Sequence, residues 1–267
     1  MGNVSHEWSV TLNVFGPITV KKKISFIQRK EIDLKSDRIY SNIEVVKNSR
    51  YGISLTVTAF AGDLTTAKKF ALYFCGQALD VLSYKINLPI ILSLKESQNL
   101  PLKIQNERRI LTEEELVGAF KNARLWVLTE STFLRALGWY RKGLYTEDAF
   151  DKFLAFYNSI EILCSKYNPH EEKCKNKGSK CHIWETFKDI WGECKEWPII
   201  PNQLSWIDKN YETRKDIAHG VASIDVNVVE EILEKIEIIQ QVTFKLIVDR
   251  EKKLNPIITE KIQSKLI

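Results

Sequence analysis

The residues best suited to chemistry in this chain lie in one ten-residue segment, 211–220, whose sequence is YETRKDIAHG. Arg214 carries a permanent charge on a forked guanidinium, and His219, five residues later, exchanges protons near neutral pH. A guanidinium can hold the oxygens of a phosphodiester while an imidazole transfers protons, and this chemistry requires no metal ion. The pair therefore predicts a phosphodiester site, although its spacing also fits an exposed arginine and a histidine that caps a helix.

The arrangement of this segment follows if it is helical. Five helical steps place Arg214 and His219 about 140° apart around the axis, so that they flank a cleft rather than contact each other. Gly220 is suited to the left-handed conformation that ends many helices. We expect Asp216 to lie beside His219 and orient its ring, and Tyr211 to lie one turn before Arg214.

Composition indicates an ordinary globular protein. The chain has 267 residues, of which 44% are hydrophobic and 27% charged, and its net charge of +5 permits the binding of polyanions without requiring it. No apolar run approaches the length of a membrane span, and no signal sequence opens the chain. Five cysteines in such a chain predict reduced thiols, so we expect a soluble cytoplasmic protein with no membrane partner.

The amino-terminal part, residues 1–100, has the pattern of a half-buried sheet. Apolar and polar residues alternate with a period of two, as in β-strands, in segments 8–15, 18–27, 42–46 and 51–60. Asp63 is placed to cap a helix that continues to about Tyr84, and segment 90–94 fits a further strand. We therefore predict an α+β fold in which a helix covers an antiparallel sheet.

The remainder of the chain predicts helices. Segment 101–111 is polar and is expected to be a linker, and Thr112 opens a helix with a capping box completed by Glu115. Further helices are expected at 133–141, with Gly143 at its end, and at 146–164, 183–191, 204–219 and 226–253. These elements predict a helical bundle in residues 112–267.

Glu161 departs from the apolar pattern of its predicted helix. It follows Leu154 by seven residues and Tyr157 by four, which places its carboxylate on the apolar side. A buried carboxylate must be paired or neutral, so we expect an arginine or lysine of a facing helix as its partner. Glu161 is either part of an internal salt bridge or takes part in catalysis, and in both cases it can orient Arg214.

Two segments of the helical part resemble the HEPN (higher eukaryote and prokaryote nucleotide-binding) superfamily. The first, 153–163, reads FLAFYNSIEIL, and the second, about fifty residues later, has the ending Tyr-x-x-Arg-x-x-x-x-His-Gly of a prokaryotic branch. The resemblance covers about residues 130–250 and implies an HEPN-like bundle with Arg214 and His219 as signature residues. Lys215 stands where many members have Asn, Asp or His.

The resemblance also implies a function. Active members of the family are metal-independent ribonucleases that pair as dimers across one cleft, and attack by the ribose 2′-hydroxyl leaves a 2′,3′-cyclic phosphate. The chain is therefore expected to be an RNA endonuclease that requires no cofactor and works as a homodimer. Other members bind nucleotides or a protein partner without cutting, so a non-catalytic binding module is the alternative. A structural dimerisation domain without a ligand is the third interpretation.

An insertion between the predicted helices is rich in cysteine, histidine and lysine. Its candidate zinc ligands are Cys164, His170, Cys174, Cys181, His182 and Cys194. These residue types suit tetrahedral zinc, but the absence of a Cys-x-x-Cys pair leaves free thiols or a disulfide as alternatives. Nearby lysines are either solvated or steer RNA phosphates, and we expect core packing for Trp184, Trp191, Trp197 and Trp206.

Overall fold

The computed structural model describes residues 6–30, 39–48, 52–94, 107–221 and 225–263, and the chain divides into two compact units, Met1–Leu128 and Thr129–Ile267. The first unit contains the sheet, and the second is helical. The predicted α+β fold class is confirmed. Among the described residues, no helix has the length and apolarity that crossing a membrane requires.

The strands of the first unit are β1 (His6–Phe15), β2 (Ile18–Thr19), β3 (Ile24–Lys30), β4 (Ile39–Asn48), β5 (Gly52–Ala61), β6 (Ile91–Ser93) and β7 (Arg109–Ile110). Five of these form an antiparallel sheet in the order β3-β4-β5-β1-β6. Along β5, Ile53, Leu55 and Val57 are buried while the hydroxyl residues between them are partly exposed. This alternation confirms the period of two in the sequence, because successive side chains of a strand point to opposite faces.

The predicted strand at 18–27 is divided into two. β2 pairs in parallel with β7 in a separate two-stranded sheet, whereas β3 begins at Ile24 and pairs with β4. The lysines at 21–23 that separate these strands are exposed, and Lys23 pairs with Glu44 at 2.7 Å. Three consecutive charged residues cannot alternate between a buried and a solvated face, so the strand is interrupted there.

Capping residues fix the start of helices α1 (Leu64–Ile86) and α2 (Glu113–Thr129). The carboxylate of Asp63 accepts a hydrogen bond from the backbone N–H of Thr66 at 2.9 Å. The Thr112 backbone N–H donates to Glu115 at 3.0 Å, and the Glu115 N–H donates to the Thr112 hydroxyl at 3.2 Å. The predicted cap and the predicted capping box are both confirmed.

Helix α2 belongs to a different unit from the one predicted. The sequence predicts a bundle over residues 112–267 after a linker at 101–111, whereas the two units divide after Leu128. The buried ring of Phe120 in α2 packs against Phe26 of β3 at a centroid distance of 5.5 Å and against Phe74 of α1 at 5.3 Å. These long-range contacts hold α2 with the sheet. Residues 101–106 lie outside the described residues.

In its described residues the second unit contains helices α3 (Ser131–Tyr145), α4 (Ala149–Tyr167), α5 (Glu171–Cys174), α6 (Gly178–Trp191), α7 (Trp206–Ala218) and α8 (Val226–Gln263), with a 3-10 turn at Cys194–Glu196. Helix α4 is central, since it packs against α3, α6, α7 and α8. Phe153, Phe156, Ile160 and Leu163 of α4 are buried at helical spacing. The predicted helical carboxyl-terminal region is confirmed.

Two helices differ from their predicted limits. α3 continues through Gly143, because this glycine allows close packing rather than ending the helix: a Cβ atom there would lie 2.6 Å from the ring of Phe156. α8 continues past its predicted end at Lys253 to Gln263. Leu233 of α8 is 52% exposed although it is apolar.

The tryptophans of the second unit form an aromatic cluster around Phe187. The ring of Phe187 lies 4.5 to 6.2 Å from those of Trp191, Trp197 and Trp206, and Trp184 packs edge-on against Trp197 at 4.9 Å. Trp197 and Trp206 are buried, while the other two are half-buried at the margin of the cluster. Core packing, rather than presentation for base stacking, is confirmed for these side chains.

Candidate functional site

The carboxyl end of α7 is closed by a Schellman motif. The N–H of Gly220 donates to the carbonyl of Ile217 at 3.1 Å, and the N–H of Val221 donates to that of Asp216 at 2.9 Å. Gly220 has a φ of +66°, the left-handed conformation predicted for it. His219 is the C-cap residue, one position beyond the last helical residue, and its side chain is exposed. The imidazole is thus accessible at the negative end of the helix dipole.

Arg214 is paired with Glu161. Its Nη2 lies 3.5 Å from Oε2 of Glu161, so the pair joins α7 to the central helix α4. Arg214 is thus a cationic partner of Glu161 on a facing helix, as predicted. The Arg214 side chain is 30% exposed and that of Glu161 is 23% exposed. Since a guanidinium has five N–H donors and this contact engages one, donors of Arg214 remain for a ligand.

One donor of Arg214 has no hydrogen-bond partner among the described residues. Its Nε is buried and makes no hydrogen bond to any described residue. An unpaired buried donor costs free energy, and a site that binds a ligand is one setting in which such a cost is tolerated.

Tyr157 is a neighbour of this pair that is absent from the predicted site residues. It precedes Glu161 by one turn of α4 and is buried. Burial and then the negative charge of Glu161 raise the pKa of Tyr157 well above its usual value, while the charge of Arg214 acts in the opposite direction. The phenol therefore remains neutral. The spacing of four residues from Glu161 is the signal in the sequence, but the ring lies in the apolar stripe of α4, where core packing is the ordinary expectation.

Tyr211 contacts a lysine of the neighbouring helix. The Nζ of Lys180 on α6 lies 5.1 Å from the ring centroid of Tyr211 and 3.0 Å from Oδ1 of Asp208. The hydrogen bond and the charge of Asp208 raise the pKa of Lys180. Tyr211 therefore helps to attach α6 to α7 one turn before Arg214.

Lys215 and Asp216 both lie towards solvent. Lys215 forms an ion pair with Glu212, and the hydrogen bond of that pair raises the pKa of Lys215. Asp216 is exposed, and in the described part of the chain no hydrogen bond or ion pair joins its carboxylate to the ring of His219. The expected orienting contact is not formed because His219 lies beyond the helix, where the spacing of three residues no longer aligns side chains.

The candidate zinc ligands do not converge. Cys174 and Cys181 form a disulfide with a Cα–Cα distance of 5.4 Å, so the expectation of reduced thiols is wrong for these two. The turn after α5 brings them together, with the Lys177 N–H donating to the Cys174 carbonyl at 2.9 Å. Cys164 and Cys194 are free and buried, and burial raises the pKa of the Cys164 thiol to about 12.

The two histidines of the insertion also lie apart from any set of ligands. Nδ1 of His182 is 3.0 Å from the side-chain nitrogen of Asn168, and His170 is exposed at the start of α5. Across the described ranges, no three His, Cys, Asp or Glu side chains are grouped so that they could hold a metal ion. The disulfide, one of the alternatives left open, is the arrangement observed.

The lysines of the insertion are divided between ion pairs and solvent. Lys173 pairs with the buried carboxylate of Glu185 at 2.5 Å, and Lys180 pairs with Asp208. Lys166, Lys175 and Lys177 are exposed. The positive charge available to a polyanion is therefore smaller than the sequence of the loop indicates.

Together these contacts place a partly exposed guanidinium, fixed by a carboxylate, on the same helix as an exposed imidazole. Such a set can bind a phosphate group and exchange a proton with it. Comparisons of this chain with models of protein families, with curated proteins and with solved structures found no match.

Proposed function

We propose that this chain is a metal-independent RNA endonuclease of the HEPN type. The observation that supports the proposal is the position of Arg214, which Glu161 holds at 3.5 Å while 30% of its side chain stays exposed. His219 lies exposed at the end of the same helix. A structural arginine would be buried and fully paired, whereas a phosphate-binding arginine needs donors that a substrate can reach.

The proposed reaction is an internal transesterification. The ribose 2′-oxygen forms a bond to the adjacent phosphorus, and the bond from phosphorus to the 5′-oxygen breaks. His219 accepts the proton of the attacking hydroxyl or donates one to the leaving oxygen. Arg214 stabilises the negative charge on the phosphorane oxygens. The products are a 2′,3′-cyclic phosphate and a 5′-hydroxyl, and DNA is not cut because it lacks the attacking group.

A homodimer forms part of this proposal. One His219 can act as base or as acid at a given moment, and a second copy of the chain, paired through the helical unit, supplies the other. Light scattering across a range of protein concentrations tests this arrangement. A protein that cuts RNA while strictly monomeric would contradict the shared cleft.

The experiment that tests the activity measures cleavage of a labelled structured RNA in EDTA. We expect the native protein to cut, and we expect Arg214→Ala and His219→Ala each to lower the rate by roughly 10²- to 10³-fold. His170→Ala is the matched control, since His170 is an exposed histidine at the start of α5. The proposal fails if the native protein leaves the RNA intact, or if the two variants cut as well as the control.

A non-catalytic module that binds nucleotides or a protein partner is the second candidate. The observation that favours it is Lys215, which forms an ion pair with Glu212 at the position where many HEPN proteins have Asn, Asp or His. In this case the same variants would weaken binding of RNA or nucleotides, and the native protein would leave the RNA uncut.

A further inference from the structure

A cavity of about 540 Å³ lies between the start of α7 and the first third of α8. Its volume falls in the range of about 300 to 1,000 Å³ that is usual for small-molecule sites. Polar groups of its wall come from Asn202, Gln203, Ser205 and Asn210. Apolar walls come from Leu204, Trp206 and Ile238. Leu204 is 64% exposed and Ile238 is 39% exposed.

The charges at this cavity leave it close to neutral. Lys235 lines it, but its Nζ is engaged by Glu231 at 2.5 Å and by the Thr213 hydroxyl at 2.9 Å. The charges that remain are those of Lys209 and Glu234, which have opposite signs. A phosphate in the cavity would meet the Glu234 carboxylate, so the lining fits a neutral group with several hydrogen-bonding atoms.

Asn210 presents a hydrogen-bonding atom at the wall of the cavity. The residue is only 4% exposed, and its Nδ2 donates to the carbonyl of Trp206 at 2.8 Å. Asn210 lines the cavity, and its Oδ1 accepts no hydrogen bond from a described residue and is not one of the buried atoms that lack a partner, so this acceptor reaches solvent. An accessible amide acceptor in the wall of a cavity is available to a ligand or to water.

The cavity lies next to Arg214 along α7. Asn210 precedes Arg214 by four residues, so the two side chains leave the helix on the same side, about 6 Å apart along the axis. A nucleotide can cover this distance from its base to its phosphate. A ligand whose neutral end occupies the cavity can therefore have its anionic end at Arg214.

We infer that the cavity binds a single nucleobase of the RNA whose phosphate is held by Arg214. The amide side chains can hydrogen-bond the edge of an unpaired base, and the apolar side chains of Leu204 and Ile238 can cover its face. The inference rests on the proposed function and adds a base-binding subsite at residues 202–210. The preferred substrate is accordingly single-stranded at the cleavage position.

Binding of a labelled 2′-O-methyl oligonucleotide, which cannot be cut because its attacking hydroxyl is blocked, tests this inference. The informative variant is Ser205→Phe, which fills the cavity; the Ser205 side chain makes no capping hydrogen bond, so its loss removes no cap. The matched control is Ser131→Phe, at the exposed first position of α3. We expect Ser205→Phe to weaken binding by roughly tenfold, as for the loss of one base contact, and Ser131→Phe to bind like the native protein.

A second variant, Gln203→Ala, shortens an exposed side chain of the cavity and is expected to weaken binding by about threefold to tenfold. The native protein should bind an abasic oligonucleotide as weakly as the Ser205→Phe protein binds the intact oligonucleotide. Equal affinity of native, Ser205→Phe and Gln203→Ala proteins for the intact oligonucleotide overturns the base subsite.

The two proposals fail in different ways. If unmodified RNA is cut with the same kcat/KM by the native protein and by Ser205→Phe, the subsite is wrong and the ribonuclease stands. If RNA is bound through the cavity but never cut, the subsite stands and the ribonuclease is wrong.

Discussion

Two arginine–carboxylate pairs join helices of the second unit, and they differ in exposure. Nη2 of Arg214 lies 3.5 Å from Glu161, and Nη2 of Arg250 in α8 lies 3.5 Å from Asp189 in α6. Each arginine has a buried Nε that makes no hydrogen bond to a described residue. The Arg250 side chain is only 8% exposed, against 30% for Arg214.

The surroundings of Arg250 account for its low exposure. Arg250 lies over the ring of Tyr167 at 5.1 Å and donates to the carbonyl of that residue at 3.4 Å. Its partner Asp189 also accepts a second cation, Lys253, at 3.0 Å. Burial lowers the pKa of Arg250, although the charge of Asp189 acts against this. Exposure, rather than pairing itself, therefore distinguishes an arginine available to a ligand from one that fastens helices.

The largest expected effect is a loss of activity, and we expect it from the substitution of Arg214 but not from that of Arg250. Arg214→Ala is expected to lower kcat/KM for RNA by roughly 10²- to 10³-fold, because the charge on the phosphorane loses its stabilising group. Its free energy of unfolding should change by about 1 kcal/mol or less, since the pair is partly exposed. Cleavage assays and urea unfolding of the same preparation measure both quantities. A loss of activity that merely follows a loss of stability would contradict the comparison.

Arg250→Ala should show the reverse behaviour. We expect the free energy of unfolding to fall by about 3 kcal/mol. The substitution removes the buried guanidinium that pairs with Asp189, and it also removes the side chain that packs on Tyr167. Urea unfolding measures the loss, and Lys252→Ala is the control, since that lysine is 70% exposed and pairs with Asp249. Equal stability of the two variants would show that Arg250 does not fasten α8.

The carboxylates sharpen the comparison further. Glu161→Gln keeps a hydrogen-bonding group but removes the charge, so Arg214 is held more loosely and kcat should fall by about tenfold with a smaller change in KM. Asp189→Asn should leave cleavage unchanged at a temperature where the protein is folded. A Glu161→Gln protein with native kcat would remove Glu161 from its positioning role.

The smallest effect is expected at acid pH, from Asp249 beside Arg250. Burial raises the pKa of Asp249, but hydrogen bonds from Lys245, Trp191 and Lys252 outweigh it, and the pKa lies below its usual value. Its contribution to stability is thus present above the unfolded pKa of about 3.9 and is lost as the pH falls through the lower folded value. The Tm of the native protein should fall more steeply than that of Asp249→Asn below about pH 4. Parallel pH profiles would contradict this.

Local rules predicted much of this structure. The caps at Asp63 and Thr112, and the left-handed Gly220 that follows α7, depend on residues within a few positions of each other, and all three were predicted. Long-range contacts were beyond such rules. The role of Gly143 inside α3 depends on close packing against Phe156, which comes from another helix. The place of α2 beside the sheet depends on the contacts of Phe120 with Phe26 and Phe74. Neither contact can be read from neighbouring residues in the sequence.

The site was predictable to a similar extent. The spacing of Arg214 and His219 identified the segment, and the apolar position of Glu161 indicated a cationic partner on a facing helix, which the structure supplies as Arg214. The cavity at residues 202–210 had no signal in the sequence, since it depends on how α8 lies against the start of α7. The Cys174–Cys181 pairing likewise depends on a turn that contains a left-handed Asn176.

That disulfide has a practical consequence for handling the protein. Lys175 and Lys177 are exposed within the short covalent ring, which makes them natural targets for trypsin. A chain cut at either lysine keeps its two fragments linked, so it migrates as a full-length band on a denaturing gel without reductant and as two bands after reduction. Purity judged on non-reducing gels alone would therefore count nicked molecules as intact.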